Sequence, residues 1–174
     1  MDSRKRVEEM IKNYPDNLAL MKSLEEESRS FVPITESEVL DMLNLPGKME
    51  DSVPVKKQRN TERVMTIACS YRTITRRLNA DVRKDISRAY LEPSREVAFI
   101  RYAIRALPRF YRELMTAYVL EQESWSEVCE HFSLSGTAFL RKKERAVLRM
   151  AKTFEQQHHY FGWEDLDNDD TRAI

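Results

Sequence analysis

Val7, Met10, Ile11 and Tyr14 recur at the three- and four-residue spacing of one helix face, and Leu18, Met21 and Leu24 continue the stripe. Pro15 interrupts it, because proline lacks the N–H that an interior turn needs; the pattern predicts a kink, or two helices with the second starting near Pro15. Thr35-x-x-Glu38 has the form of a capping box, opening a short helix through Val39, Leu40 and Leu43 that Leu45-Pro46-Gly47 stops. Residues 48–60 are polar, hold Pro54 and a Lys56-Lys57-x-Arg59 cluster, and read as a linker. A long helix is predicted from Asn60 or Thr61, with Val64, Ile67, Ala68, Tyr71, Ile74 and Leu78 as its stripe. Val82, Ile86, Ala89 and Tyr90 extend it, Asn79 is a candidate break, and Pro93-Ser94 predicts its end and the cap of the next helix. That next helix repeats Val97, Ile100, Ile104 and Leu107.

The stretch from Ala103 to Phe154 carries the densest pattern. One helix closes at Ala106-Leu107-Pro108, and a second carries Phe110, Leu114, Met115 and Tyr118. Ser124 with Glu127 three residues on predicts another capping box, followed by a helix whose Trp125, Val128, Cys129 and Phe132 face inward. Ser133-Leu134 makes a tight turn, and Ser135 caps a last helix with Phe139, Ala146, Val147, Met150 and Phe154 buried. The whole pattern predicts an all-α fold: an N-terminal helical hairpin or bundle, then a C-terminal helix-turn-helix domain. The predicted layout is a helical segment at 1–47, the linker at 48–60, and a long helix at 61–92 packing on the first segment. The helix-turn-helix domain follows at 93–154 and an acidic tail at 155–174.

Composition supports this reading. Three glycines and six prolines in 174 residues leave few turns, and 33% of residues are charged. No apolar run approaches the ~20 residues of a membrane span, and no signal-peptide core follows Met1-Asp2-Ser3-Arg4-Lys5-Arg6, so a cytoplasmic, non-membrane protein is expected. Cys69 and Cys129 lie far apart without metal-binding spacing. The formal net charge is zero, but it is unevenly spread. Residues 1–50 hold 7 basic and 11 acidic side chains, residues 51–154 hold 21 and 12, and residues 155–174 hold 1 and 6. The blockwise nets of −4, +9 and −5 put the basic excess on the segment that holds the helix-turn-helix.

Two short helices joined by a three- or four-residue turn form the unit that lays its second helix in the DNA major groove. Cys129 is small enough for the helix crossing. Thr137, Leu140 and Arg141 fall where base edges would be read, and Lys143, Arg145 and the upstream Arg109 and Arg112 suit phosphates. Double-stranded DNA is the expected partner, and residues 94–154 are expected to bind it by themselves. The bland alternative is a helical hairpin with a solvated basic face.

Ala106-Leu107-Pro108-x-x-x-Arg112, followed by Trp125-x-Glu127-Val128 and the helix through Met150, resembles the C-terminal region 4 of sigma-70-type factors over about fifty residues. Tyr14-Pro15 after an amphipathic helix, and the acidic run that follows, is similar in layout to small phage regulators of the ArpU and RinA kind. The resemblance implies a regulator, an activator of phage or prophage late genes in a bacterial host cell, with RNA polymerase a possible contact. Where that family places arginine and glutamate after the cap, this chain has Gly136, Thr137 and Ala138, and Lys142 stands where the family has a buried aliphatic residue. An unmodified −35 element is therefore not the expected target.

The apolar stripes of the first ninety residues are long enough to predict a homodimer as well. Two other function classes fit the same pattern: a DNA-packaging component resembling a small terminase subunit, and a polymerase-binding factor with no DNA affinity of its own. No Ser-His-Asp set, glycine-rich phosphate loop or paired-carboxylate setting appears, so no enzyme activity and no cofactor are expected. His158-His159 lack further ligands and read as surface residues rather than a metal site. Phe161-Gly162-Trp163 and the acids after it read as a partly disordered tail, with polymerase contact or a fold back over the basic domain as alternatives.

Overall fold

The computed structural model describes residues 2–44 and 58–163, so most of the expected linker and the last eleven residues lie outside it. Every regular element among the described residues is a helix. They are α1 (Ser3–Ser30), α2 (Glu36–Asn44), α3 (Gln58–Ala106), α4 (Arg109–Met115), a π turn (Thr116–Leu120), α5 (Trp125–His131), α6 (Gly136–Gln157) and a closing 3-10 turn (His158–Phe161). The chain divides into two compact units, Met1–Ser23 with Tyr90–Ile174, and Leu24–Ala89.

Pro93, expected to end a helix, does not, and Pro15, expected to kink one helix or to separate two, lies inside a single helix. Helix α1 runs through Pro15 and α3 runs through Pro93. An interior proline costs a helix ~3 kcal/mol, which burial of neighbouring side chains can outweigh. Tyr14 and Met10 beside Pro15, and Val97, Phe99 and Ile100 after Pro93, are almost completely buried. The expected boundary at 92/93 therefore falls inside one helix, and residues 1–47 are not one segment, since the first twenty-three pack with the C-terminal half.

In the first unit, Val7, Met10 and Tyr14 of α1 join Val97, Phe99, Ile100, Ala103 and Ile104 of α3 in one core with Leu114, Val128, Phe139, Val147 and Met150. Polar contacts fix the α1 register. Both oxygens of the buried Glu96 carboxylate accept, one from Arg6 Nη2 at 2.8 Å and the other from Asn17 Nδ2 at 2.7 Å. Tyr14 Oη accepts from Arg101 Nε at 3.0 Å. A buried carboxylate left without such donors would cost several kcal/mol. Residues 94–154 are thus only part of a folded unit that also takes in α1 and Trp163.

The start of the acidic tail is also structured. Trp163 is 7% exposed and packs against Phe99, Phe154 and Phe161 at ring-centroid distances of 5.6, 5.2 and 5.4 Å. Gly162, at φ 70°, supplies the left-handed turn that brings it there, and its carbonyl accepts from Arg95 Nη1 at 3.2 Å. Of the two histidines, His158 stacks on Phe154 and His159 is exposed.

In the second unit, Thr35 and Glu38 form the expected box at the start of α2: Glu38 Oε2 accepts from Thr35 N at 2.7 Å, and Thr35 Oγ1 from Glu38 N at 3.3 Å. Asn79 does not break α3. Its side chain pairs with the backbone of Ile34, accepting from the N–H at 2.8 Å and donating to the carbonyl at 3.0 Å. An asparagine read as a helix breaker is here a backbone surrogate for a segment that has no ladder partner.

Candidate nucleic-acid interface

Helix α5 begins at the capping box foreseen in the sequence. Ser124 Oγ accepts from Glu127 N at 3.3 Å, and Glu127 Oε2 accepts from Ser124 N at 2.7 Å. The Ser124 backbone N–H first, and its side chain second, hold the Glu127 carboxyl below the ordinary range, since both favour its ionised form. The helix ends in a Schellman motif, with Leu134 N bonded to Cys129 O at 2.8 Å and Ser133 N to Glu130 O at 3.1 Å. Ser133 takes the left-handed position at φ 51°, where glycine is usual. Ser135 then caps α6, its Oγ accepting from Ala138 N at 3.3 Å. Two caps and one turn thus fix where α6 starts.

Helix α6 buries Phe139, Ala146, Val147, Met150 and Ala151. Positions 137, 141, 145, 148 and 152 lie on the opposite side, and Thr137, Arg141, Arg145 and Lys152 are exposed. Among the described residues no carboxylate pairs with Arg141, Arg145 or Lys152. Leu140, 63% exposed, sits at the edge of this face.

The other residues singled out in the sequence are placed differently. Lys143 is half-buried on the inner flank, donating to Tyr118 Oη at 3.0 Å with its ammonium 4.5 Å from the ring centroid. It is not a free phosphate-binding cation of the outward face. Lys142 lays its stem along Phe110 and holds its charge 5.0 Å from that ring's centroid, which is how a lysine fills the expected aliphatic position. Arg109 is engaged by Glu113 at 2.8 Å, a contact that raises its pKa, and Arg112 is exposed.

Trp125 does not face inward as expected but is 58% exposed. Its ring reaches the first residue of α6, where a Cβ on Gly136 would come within 3.4 Å of Cζ3, and glycine offers no side chain to cover it. Periodicity placed Trp125 with Val128 and Phe132; it misled because α5 is so short that its first residue stands beyond the core. Arg4 was also missed. It donates to Glu144 of α6 at 3.0 Å and to Glu8 at 3.0 Å, which brings the N-terminus of α1 beside the recognition-type helix. The Arg4-Lys5-Arg6 run was the visible signal, but only tertiary packing places it there.

A groove of about 840 Å³ lies between α1, the π turn and α6, lined by Ile11, Pro15, Val119 and Leu140 with Lys12 and Lys143 at its sides. Two residues beyond the π turn next to it, Gln122 takes φ 59°. No family model, curated protein or solved structure matches the chain. No described helix is long and apolar enough to cross a membrane.

Proposed function

We propose that the protein is a DNA-binding transcription regulator that docks the outward face of α6 in the major groove. The observation that carries this reading is the doubly capped turn before α6, which presents Thr137, Arg141 and Arg145 on one exposed face without acidic partners among the described residues. Thr137 suits a thymine methyl, Arg141 a guanine edge, and Arg145 and Lys152 the flanking phosphates. The N-terminus of α6 favours phosphate through its unpaired N–H groups. Trp125 and Arg112 supply contacts around it. The form of regulator proposed is the one the sequence resemblance implies, a sigma region 4-like activator of phage or prophage genes in a bacterial cytoplasm. Two copies would serve half-sites ~34–36 Å apart, and the exposed Val32, Met42 and Met65 of the second unit are what a second copy would cover.

The test is fluorescence anisotropy of the full chain on duplex DNA across a salt series. Arg145→Ala should weaken binding and reduce the log–log salt slope by about one, the value for one lost phosphate contact. Lys143→Ala should change the slope little, because Tyr118 already holds that ammonium. Equal effects of the two substitutions, or no salt-dependent binding at all, would overturn the assignment.

A further inference from the structure

The groove between α1, the π turn and α6 lies wholly within the first unit. Its volume of about 840 Å³ falls in the ~300–1,000 Å³ range of small-molecule sites. The floor is carbon, supplied by Ile11, Pro15, Val119, Leu140 and Val147. Part of it stands in water: Leu140 is 63% exposed, and Pro15 is exposed as well. Beyond Arg4, the α1 wall runs from Glu8 to Pro15 and the α6 wall from Leu140 to Val147. Each is about two turns, or about 10 Å, which an extended acyl chain of medium length matches.

The charges around that floor do not balance. Glu8 and Glu144 are its acids, and Arg4 holds both, at 3.0 Å each. Lys12 and Lys143 are left over, for among the described residues no carboxylate pairs with either. Lys143 donates to Tyr118 Oη at 3.0 Å, which leaves its other N–H protons and the phenol's own proton to give. It is also half-buried, so an anion beside it is screened less than on an open surface. The uncommitted groups along Lys12, Lys143 and Tyr118 are thus donors, two of them cationic, above an apolar floor. An occupant with an apolar body and one anionic head satisfies both; a neutral apolar one leaves the donors unanswered, and a cationic one is repelled.

We propose that this groove binds a small amphipathic carboxylic acid, its chain on Ile11, Pro15, Val119 and Leu140 and its carboxylate among Lys12, Lys143 and the Tyr118 hydroxyl. The site itself requires nothing of DNA. Leu140 both lines the groove and stands at the edge of the outward face of α6, so an occupant reaches that face. Its negative charge beside Lys143 would oppose the approach of phosphate. This coupling, unlike the site, rests on the function proposed above.

The probe is decanoate below its micelle-forming concentration, with decanol as the uncharged counterpart. Each is titrated into the full chain and followed by backbone amide NMR shifts. The expected result is saturable one-to-one binding of decanoate, with shifts centred on residues 8–15, 118–122 and 140–147. Decanol should bind about tenfold more weakly, the loss of one charge-assisted contact. Lys12→Gln and Lys143→Gln should each weaken decanoate about tenfold and leave decanol unchanged, and Lys12→Arg should keep most of the affinity. Lys12 is exposed, so its substitution tests the site even where that of the half-buried Lys143 disturbs the fold. No saturable binding, shifts centred elsewhere, equal affinity for acid and alcohol, or indifference to Lys12→Gln would overturn the site. So would an acidic amphipathic peptide that shifts these residues while decanoate does not, since the groove would then be a protein-docking surface. DNA anisotropy with and without saturating decanoate tests the coupling: DNA affinity should fall, and DNA should weaken decanoate by the same factor. Equal DNA affinity in both conditions would overturn the coupling alone. Decanoate binding with no DNA binding in either condition would overturn the DNA-binding reading and leave the site standing.

Discussion

Met10 tests whether α1 belongs to the body that carries α6. Its side chain is 1% exposed, between Val7 and Tyr14, which are as deeply buried. Truncating a buried methionine to alanine removes its transfer free energy and leaves a cavity, together ~2–5 kcal/mol. Domains of this size hold ~5–15 kcal/mol in total, so one such change is a large share of what is available. With a urea m-value of ~1–3 kcal/mol/M, a loss near 3 kcal/mol moves the midpoint down by about 1–3 M. Both tryptophans, Trp125 and Trp163, lie in this unit, so urea unfolding followed by tryptophan fluorescence reports on it and not on residues 24–89. By the same reasoning a fragment of residues 94–154, lacking α1 and Trp163, should show no cooperative transition. A midpoint shift below about 0.3 M for Met10→Ala, or a cooperatively folding 94–154 fragment, would refute the claim that α1 completes the core.

The remaining expectations are local. Ser133→Gly should stabilise the first unit by ~1 kcal/mol in the same assay, because it removes the Cβ penalty of the left-handed position at φ 51°. Asn79→Ala should cost ~1–3 kcal/mol, read by the circular-dichroism transition of the full chain, since it leaves the half-buried Ile34 N–H and carbonyl without their partner. Glu127 has a folded pKa below its ordinary 4.5, so its contribution is fully present above that value and is lost as the pH falls through the lowered one. The stability gap between the full chain and Glu127→Gln should therefore shrink on acidification below pH 4.5, and a gap unchanged between pH 7 and pH 3 would count against the capping role.

The helices themselves were legible because apolar spacing and caps are local signals. Ser124, Glu127, Ser135, Thr35 and Glu38 act within four residues of one another, and each was found where the pattern put it. What the pattern missed depends on contacts distant in sequence. Pro93 reads as a stop by its own chemistry, yet the core around Phe99 and Ile100 carries the helix through it. Asn79 reads as a break until Ile34, forty-five residues away, takes its amide. At the candidate interface the period itself held the distinction. Arg141 and Arg145 fall on the exposed side, whereas Lys143, four residues after Phe139 and four before Val147, falls on the buried side and there meets Tyr118. Trp125 went wrong in the opposite direction, since period says which way a side chain points but not whether a neighbour is there to cover it.

The chemistry of the α6 face bears on how the proposed regulator would find a site. Gly136, Thr137 and Ala138 form its first turn, and of these only Thr137 can offer a side-chain hydrogen bond. One arginine–guanine contact at Arg141 is worth ~1–3 kcal/mol of discrimination, far less than the ~4–10 kcal/mol that separates specific from non-specific binding in well-specified regulators. The shortfall must come from a second copy, from DNA shape, or from a partner held beside the promoter. Non-specific binding, at ~10⁻⁴–10⁻⁶ M and almost wholly electrostatic, is what the arginine stripe of α6 would supply by itself. On this reading the stripe supplies affinity, and specificity is assembled outside the first turn of α6.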